Sequence, residues 1–264
     1  MSWRFALTPK WIIRHVLVLA LVVSMIMLAF WQLRRLDEKK DYKALVEARQ
    51  EQPVANVSAV VPADADIGGD AVNDVLYRRV RATGTYVADD TVVVENRTYN
   101  SAPGGWVLTP MRLADGTAVV VNRGFIGYDR DGEIVAPPPP SGTVTIEGLV
   151  FPSQHRGSFG AVDPDQGHLD VLARVDLRRY AVQVDYELLP AYVQAVTSDP
   201  AEPPADPGRP ELVALGPPVL DEGPHFSYAV QWFIFTTIAA GGYGILLRKV
   251  AIDQGKLLAS DRVT

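Results

Sequence analysis

Cysteine is absent from this chain of 264 residues. No disulfide can staple it, and thiol redox or thiolate metal chemistry is excluded. Histidine is scarce: His15, His155, His168 and His225 are the whole supply, no pair has zinc-site spacing, and there is no H-E-x-x-H. The four methionines, Met1, Met25, Met27 and Met111, form no Met-rich copper tract. The P-loop, the G-x-G-x-x-G fingerprint and the nucleophile elbow are missing; the nearest approach to the elbow, Gly157-Ser158-Phe159-Gly160, has the wrong spacing. Carboxylates are plentiful but scattered, and a solvated surface explains them better than an acid–base pair. His155 and His168 lie in loop-like sequence and read as exposed or structural. An excess of positive charge is lacking too, and the net charge of −6 gives no reason to expect nucleic-acid binding.

What the chain does have is two long apolar runs. Residues 16–33, VLVLALVVSMIMLAFWQL, carry no charge and reach bilayer length with part of residues 11–15. Arg4, Lys10 and Arg14 ahead of the run also suit a signal peptide. The run is longer than a signal h-region, however, and ends in Phe-Trp-Gln-Leu-Arg-Arg rather than small residues, so it reads as an uncleaved anchor. Residues 228–247, YAVQWFIFTTIAAGGYGILL, form the second run, closed by Arg248 and Lys249. Gly241, Gly242 and Gly244 there suit either close approach of another helix or ordinary tolerance of glycine in a membrane. Charge is partitioned around the runs. Residues 34–224 hold 18 Lys+Arg against 29 Asp+Glu, so −11, and the outer pieces hold 7 against 2, so +5. Basic tails flanking a long acidic segment predict a membrane hairpin with both termini cytoplasmic, although Arg34, Arg35, Lys39 and Lys40 weaken the rule locally. The expected organisation is a tail (1–14), a first span (15–33), an extracytoplasmic domain (34–224), a second span (228–247) and a tail (248–264). Such a hairpin brings Trp31, Gln32, Arg34 and Arg35 level with His225, Gln231 and Trp232. The tryptophans suit an interfacial belt. Gln32 and Gln231 need a partner so close to lipid: each other, a ligand or a neighbouring protein.

Between the runs, residues 37–50 are charged with few breakers and predict a continuation of the first helix, ended by Pro53. Residues 60–75 read as a loop. Strand-like segments follow: 77–86 with a turn at Gly84; 91–99; 106–113 after a break at Gly104-Gly105; 117–122; 143–151; 187–197; and a last candidate at 212–215. Asp115-Gly116 predicts a two-residue hairpin. Four prolines, Pro137 to Pro140, end a polar loop, residues 176–181 suit a short helix, and residues 198–210 lack periodicity. The fold class expected is an α+β membrane protein whose two transmembrane helices flank a mainly antiparallel β domain, an antiparallel sheet or a partly closed barrel with few helices, with Val107, Val119, Val121 and Ile146 buried.

An ordered set of motifs adds a family. Trp31-Gln32-Leu33-Arg34 with Arg35 and Lys39, Tyr77-Arg78-Arg79-Val80, Thr83-Gly84-Thr85-Tyr86, Gly105-Trp106-Val107-Leu108-Thr109-Pro110, Val121-Asn122-Arg123-Gly124-Phe125, Glu147-Gly148-Leu149-Val150 and His225-Phe226-Ser227-Tyr228-Ala229-Val230-Gln231-Trp232-Phe233 follow one another along the chain. Together they resemble the surfeit locus protein 1 family, assembly factors for haem–copper cytochrome c oxidase. Ala29 stands where that family usually has Gly, and the stretch before Val175-Asp176 lacks an expected Trp. Asn122-Arg123-Gly124 taken alone suits a strand-ending turn, but a turn needs no guanidinium, so Arg123 is expected to meet a carboxylate of the domain or a partner. Trp106 and Tyr86 read as core aromatics.

The resemblance implies a non-enzymatic assembly or maturation factor, a chaperone of the respiratory chain in the bacterial cell (inner) membrane. Its expected partners are the lipid bilayer and subunits of an aa3-type cytochrome c oxidase, the catalytic subunit first. A stably bound accessory subunit of an oxidase, or of a bc1–oxidase supercomplex, is the alternative; an extracytoplasmic sensor ranks last, since the short tails leave no room for an output domain. The resemblance also implies haem a, held transiently, with His225 as candidate iron ligand. Tyr228, Ala229 and Trp232 would share its helix face, Trp31 and Gln32 would lie opposite, and Arg34 and Arg35 would suit propionates. The competing reading makes His225 a structural cap at the start of the span.

Overall fold

The computed structural model describes residues 3–158 and 160–260. In chain order the elements are a 3-10 turn (Arg4–Leu7), α1 (Pro9–Gln50), β1 (Ala55–Asn56), α2 (Val57–Val60), α3 (Asp70–Asn73), β2 (Arg79–Tyr86), a 3-10 turn (Ala88–Asp90), β3 (Val92–Tyr99), β4 (Ala102–Leu113), β5 (Ala118–Gly127), β6 (Val144–Pro152), β7 (Val171–Leu172), α4 (Leu177–Ala181), β8 (Leu188–Asp199) and α5 (His225–Ser260). They fall into two compact units, one made of the chain up to residue 44 and from residue 220 on, the other Leu45–Val219.

The first unit is an antiparallel helix pair. α1 and α5 are both long and apolar enough to cross a membrane. Charges are missing from residues 15–33 and 225–247, and the few hydroxyls turn inward on their own helix: Ser24 donates to the Ala20 carbonyl, Thr236 to Trp232 and Thr237 to Phe233. Each such bond removes a polar group from the apolar exterior. Phe30 of α1 meets Phe233 of α5 edge to face at 5.8 Å. Lower down, the Tyr243 hydroxyl and His15 Nδ1 are 2.7 Å apart, while His15 Nε2 reaches the Ala6 carbonyl at 3.1 Å. A carbonyl only accepts, so Nε2 carries the proton and Nδ1 accepts from Tyr243. The second helix continues past Arg248 and Lys249, and the first runs to Gln50, as its charged, breaker-free sequence predicts.

The second unit is a β-barrel. β2, β6, β8, β5 and β4 pair in that order, and a further β2–β4 pairing closes the ring. β3 extends the sheet from β4, β7 from β3, and β1 from β2. Most pairings are antiparallel; β1–β2, β3–β7 and β5–β8 are parallel. Closure removes sheet edges, which an open antiparallel sheet would leave exposed. β5 explains its own sequence: Val119 and Val121 join one core with Val80, Met111, Ile146 and Val193, while Ala118 and Val120 join a second with Val92, Leu172, Leu177 and Tyr180. A strand buried on both faces reads as a continuous apolar run. Val107, Val119, Val121 and Ile146 are all fully buried.

Three expected strand breaks are not breaks. Gly84 lies inside β2 at the closure point, paired with Val144 on one side and Leu113 on the other; a Cβ there would sit 2.0 Å from the Arg112 carbonyl oxygen. Gly104 and Gly105 pair within β4 against Gly127 and Ile126. Asn122-Arg123-Gly124 lies inside β5 rather than ending it. Glycine in a strand marks either a turn or a close backbone approach, and in this barrel it marks the approach. The Asp115-Gly116 hairpin forms, but with three loop residues: Gly116 N donates to Leu113 O, Gly116 has φ +90°, and Leu113 N donates to Thr117 O. Residues 60–75, expected as a loop, instead contain α3, and β1 and α2 lead into them over residues 55–60. Asn56 caps α2 by accepting from Ser58 N at 3.0 Å, and Val57, Val60, Val61 and Val72 are buried. Residues 212–215 contribute only one bridge, Val213 to Phe125. The short helix α4 is as expected, capped by Asp176.

Candidate functional site

Seven residues, Trp31, Gln32, Arg34, Arg35, His225, Tyr228 and Trp232, were expected at one end of the helix pair. α5 begins at His225, so His225, Ala229 and Phe233 form one stripe along it. His225 Nδ1 lies 2.8 Å from Gln32 Oε1. With a carbonyl oxygen as acceptor, Nδ1 is the donor of this bond, and Nε2 has no hydrogen-bond partner among the described residues. Ala29 and Ala229, one turn inward, are both buried, where small side chains let helices approach. Gln32 thus takes His225 as its partner; Gln231 is exposed. Tyr228 and Trp31 are about half exposed beside the pair, and Trp232 is half-buried, edge to face with Phe235 at 6.0 Å. The shared face expected for His225, Tyr228, Ala229 and Trp232 is therefore divided: His225 and Ala229 turn inward, Tyr228 stays open.

The two arginines stand differently. Arg35 bonds Glu38 at 2.7 Å on the surface, a contact of small energetic weight. Arg34 is exposed and enters no ion pair among the described residues. Each remains accessible to an anionic group. The histidine is further defined by its approach to the chain before it: a Cβ at Gly223 would lie 3.4 Å from His225 Nε2.

A second constellation lies in the barrel. In the β4–β5 ladder Val107 pairs with Gly124 and Leu108 with Asn122, so Arg123 is the unmatched residue of a β-bulge. Gly124, at φ +150°, faces the Val213 carbonyl so closely that a Cβ would come within 2.4 Å. The bulge turns Arg123 inward. Its side chain is fully buried and grips Glu202 with both ends, Nε to Oε1 at 3.0 Å and Nη2 to Oε2 at 2.5 Å. The same guanidinium donates to the Pro137 and Pro138 carbonyls at 2.9 and 3.1 Å. One residue thereby fixes the tetraproline loop and the proline-rich segment after β8. Tyr86 lies with its ring 5.8 Å from the guanidinium carbon. Burial pushes the Tyr86 hydroxyl pKa up, Glu202 adds to this and Arg123 opposes it. Sequence singled out Arg123 and its need for a carboxylate. It gave no signal for Glu202, which sits in a segment without periodicity.

The model of the SURF1 family matches residues 19–237, from the first apolar helix through the barrel into the second. The chain belongs to the SURF1 family. It is 28% identical to an uncharacterised SURF1-like protein of Mycobacterium bovis over 245 residues, covering 91% of this chain and 84% of that one. A SURF1-like protein of Monosiga brevicollis is 29% identical over 240 residues, 84% and 83% of the two chains. One from Rickettsia felis is 24% identical over 226 residues, 83% and 90%. The family is generally linked to cytochrome oxidase assembly. Among the motifs that carry the resemblance, Trp31-Gln32 and His225 meet in the helix pair, whereas Val121-Asn122-Arg123-Gly124-Phe125 forms the barrel's bulge.

Proposed function

We propose that this SURF1 family protein is a membrane-anchored, non-enzymatic factor that helps mature the catalytic subunit of an aa3-type cytochrome c oxidase by handling haem a. The observation that carries the reading is the family match across both helices and the barrel. The helix pair supports the haem part. A histidine that ligates a metal through one ring nitrogen commonly donates its other N–H to a carbonyl, which fixes the tautomer and ring orientation. His225 is already in that state, with Nδ1 on Gln32 and Nε2 free. Haem a supplies an iron centre and two propionates; this chain would hold the iron through His225, flank the ring with Trp31, Tyr228 and Trp232, and meet propionates with Arg34 and Arg35. Gln32 is a positioning residue. The protein spans a bacterial cell membrane with both termini cytoplasmic and the barrel outside, a reading supported by the charge partition.

Deleting the gene tests the assignment. The expected strain has less assembled haem a-type oxidase and an intact cytochrome bc1 complex. Normal oxidase activity with normal haem a absorbance, in a strain without a second SURF1 family member, would overturn it.

A further inference from the structure

The other end of the helix pair has a structure of its own. Five rings follow one another there: Trp3 stacks on Phe5 at 6.3 Å, Phe5 meets Trp11 edge-on at 4.9 Å, Trp11 lies 6.2 Å from His15, and His15 meets Tyr243 edge-on at 5.7 Å. Hydrogen bonds lock the series. Thr8 Oγ1 donates to Phe5 O at 2.8 Å, His15 donates to Ala6 O, and Tyr243 donates to His15. The 3-10 turn Arg4–Leu7 is thus folded against α1, with Phe5 buried. Yet Trp3 is left 52% exposed and Leu7 81% exposed. A turn held this firmly, with large apolar groups facing outward, suits the boundary between headgroups and acyl chains.

Its charges complete the pattern. No carboxylate occurs before Asp37. Arg14 is held with its guanidinium carbon 4.6 Å from the Trp11 ring centre. Lys10 precedes Arg14 by four residues and so shares its face. In an antiparallel pair fixed by His15–Tyr243, Arg248 and Lys249 come level with Lys10, five and six residues beyond the contact. Among the described residues none of Arg4, Lys10, Arg14, Arg248 or Lys249 enters an ion pair. His15 and Gln32 are 17 residues apart on α1, about 26 Å of helix rise, against roughly 30 Å of hydrocarbon in a bilayer. The collar of cations therefore stands about one hydrocarbon thickness from the His225 end.

We propose that this collar, Lys10, Arg14, Arg248 and Lys249 with Trp3 and Trp11, is a binding site for anionic phospholipid headgroups. It rests on the membrane reading and adds a ligand class to it. Lysine and arginine beside a surface of anionic lipid gain about fivefold in affinity per charge, and the gain is screened by salt. The tryptophans hold the site at the depth of the phosphodiesters, and Arg14, braced on Trp11, presents its free N–H groups there.

Native mass spectrometry of the full chain, released from detergent in an equal mixture of phosphatidylglycerol and phosphatidylcholine, tests this. The native chain is expected to retain phosphatidylglycerol at least tenfold over phosphatidylcholine, and less so as salt is raised before release. The variant Lys10→Gln, Arg14→Gln, Arg248→Gln, Lys249→Gln should lose that preference, while Arg130→Gln with Arg156→Gln should keep it. Equal retention of both lipids by the native chain at low salt, or an unchanged preference in the fourfold variant, would overturn the inference and leave the membrane reading standing. A chain that stays monodisperse in water without detergent would overturn both.

Discussion

Replacing Glu202 by Ala isolates the buried ion pair of the barrel. Arg123 is fully buried and cannot lose its proton, and its neutralising partner is the Glu202 carboxylate, itself 22% exposed. Removing one member of a buried pair leaves an uncompensated charge and costs about 3–5 kcal/mol. The partial exposure of Glu202, and the Pro137 and Pro138 carbonyls that stay on the guanidinium, place the expected cost near the lower figure, about 3 kcal/mol. For a domain of this size 1 kcal/mol shifts the melting temperature by roughly 2–4 °C, so a loss on the order of 10 °C is expected. Arg123→Met should cost a similar amount, because Glu202 then loses its partner and two carbonyls lose their donor. The double variant should be more stable than the two single losses summed, since it removes both charges. Thermal unfolding of the full chain in detergent, followed by the β-sheet circular dichroism signal, reads all four forms. Single variants within about 0.5 kcal/mol of the native chain, as for an ordinary surface change, would refute the buried-pair reasoning. So would strict additivity.

Other outcomes follow from the same geometry. Reporter fusions after Asp70 and after Lys256 should report opposite sides of the membrane; one compartment for both would defeat the two-span reading. Ile146→Ala, in the barrel core at 0% exposure, should cost about 2–5 kcal/mol, and a denaturation midpoint near that of the native chain would show that the barrel is not packed as described. The Asp115 carboxyl should titrate below the ordinary carboxylate value, first because the Thr117 hydroxyl donates to it at 2.7 Å, then through Ser58 and the Thr117 amide. A depressed folded pKa contributes stability above the unfolded value of about 3.9 and loses it as pH falls through the folded one. Thr117→Val should raise the midpoint of an NMR titration of Asp115, and an unchanged midpoint would count against the bond.

Period and composition made the apolar helices and most strands legible. The helical continuation to Gln50 followed from charged residues without breakers, and α4 falls where residues 176–181 suited a short helix. Glycine misled, because Gly84, Gly104 and Gly124 serve close backbone approaches to Arg112, Ile126 and Val213, each at least 22 residues along the chain and beyond any local window. A partly closed barrel was one of the two arrangements the strands allowed, but which pair closes it, β2 on β4, was not legible for the same reason. Residues 60–75 looked like a loop because a one-turn helix such as α3 carries little periodicity, and α2 just before them went unread although Asn56 before Val57-Ser58 was a cap signal. At the candidate site, the sequence placed polar groups at one level of two helices but could not choose among their pairings. Gln32 took His225, and that choice depends on how α5 is rotated about its axis.

The state of His225 is the most direct test of the account. The full chain, purified gently from membranes of a cell that makes haem a, is compared by absorbance with its His225→Ala and His225→Met variants and with Gln32→Leu. The account predicts haem a in the native protein, its loss with Ala, a shifted spectrum with Met, and haem retention weakened roughly 10–100-fold with Gln32→Leu through the loss of the Nδ1 partner. Haem content and spectrum unchanged in both His225 variants would contradict it and leave His225 a structural link between the two helices.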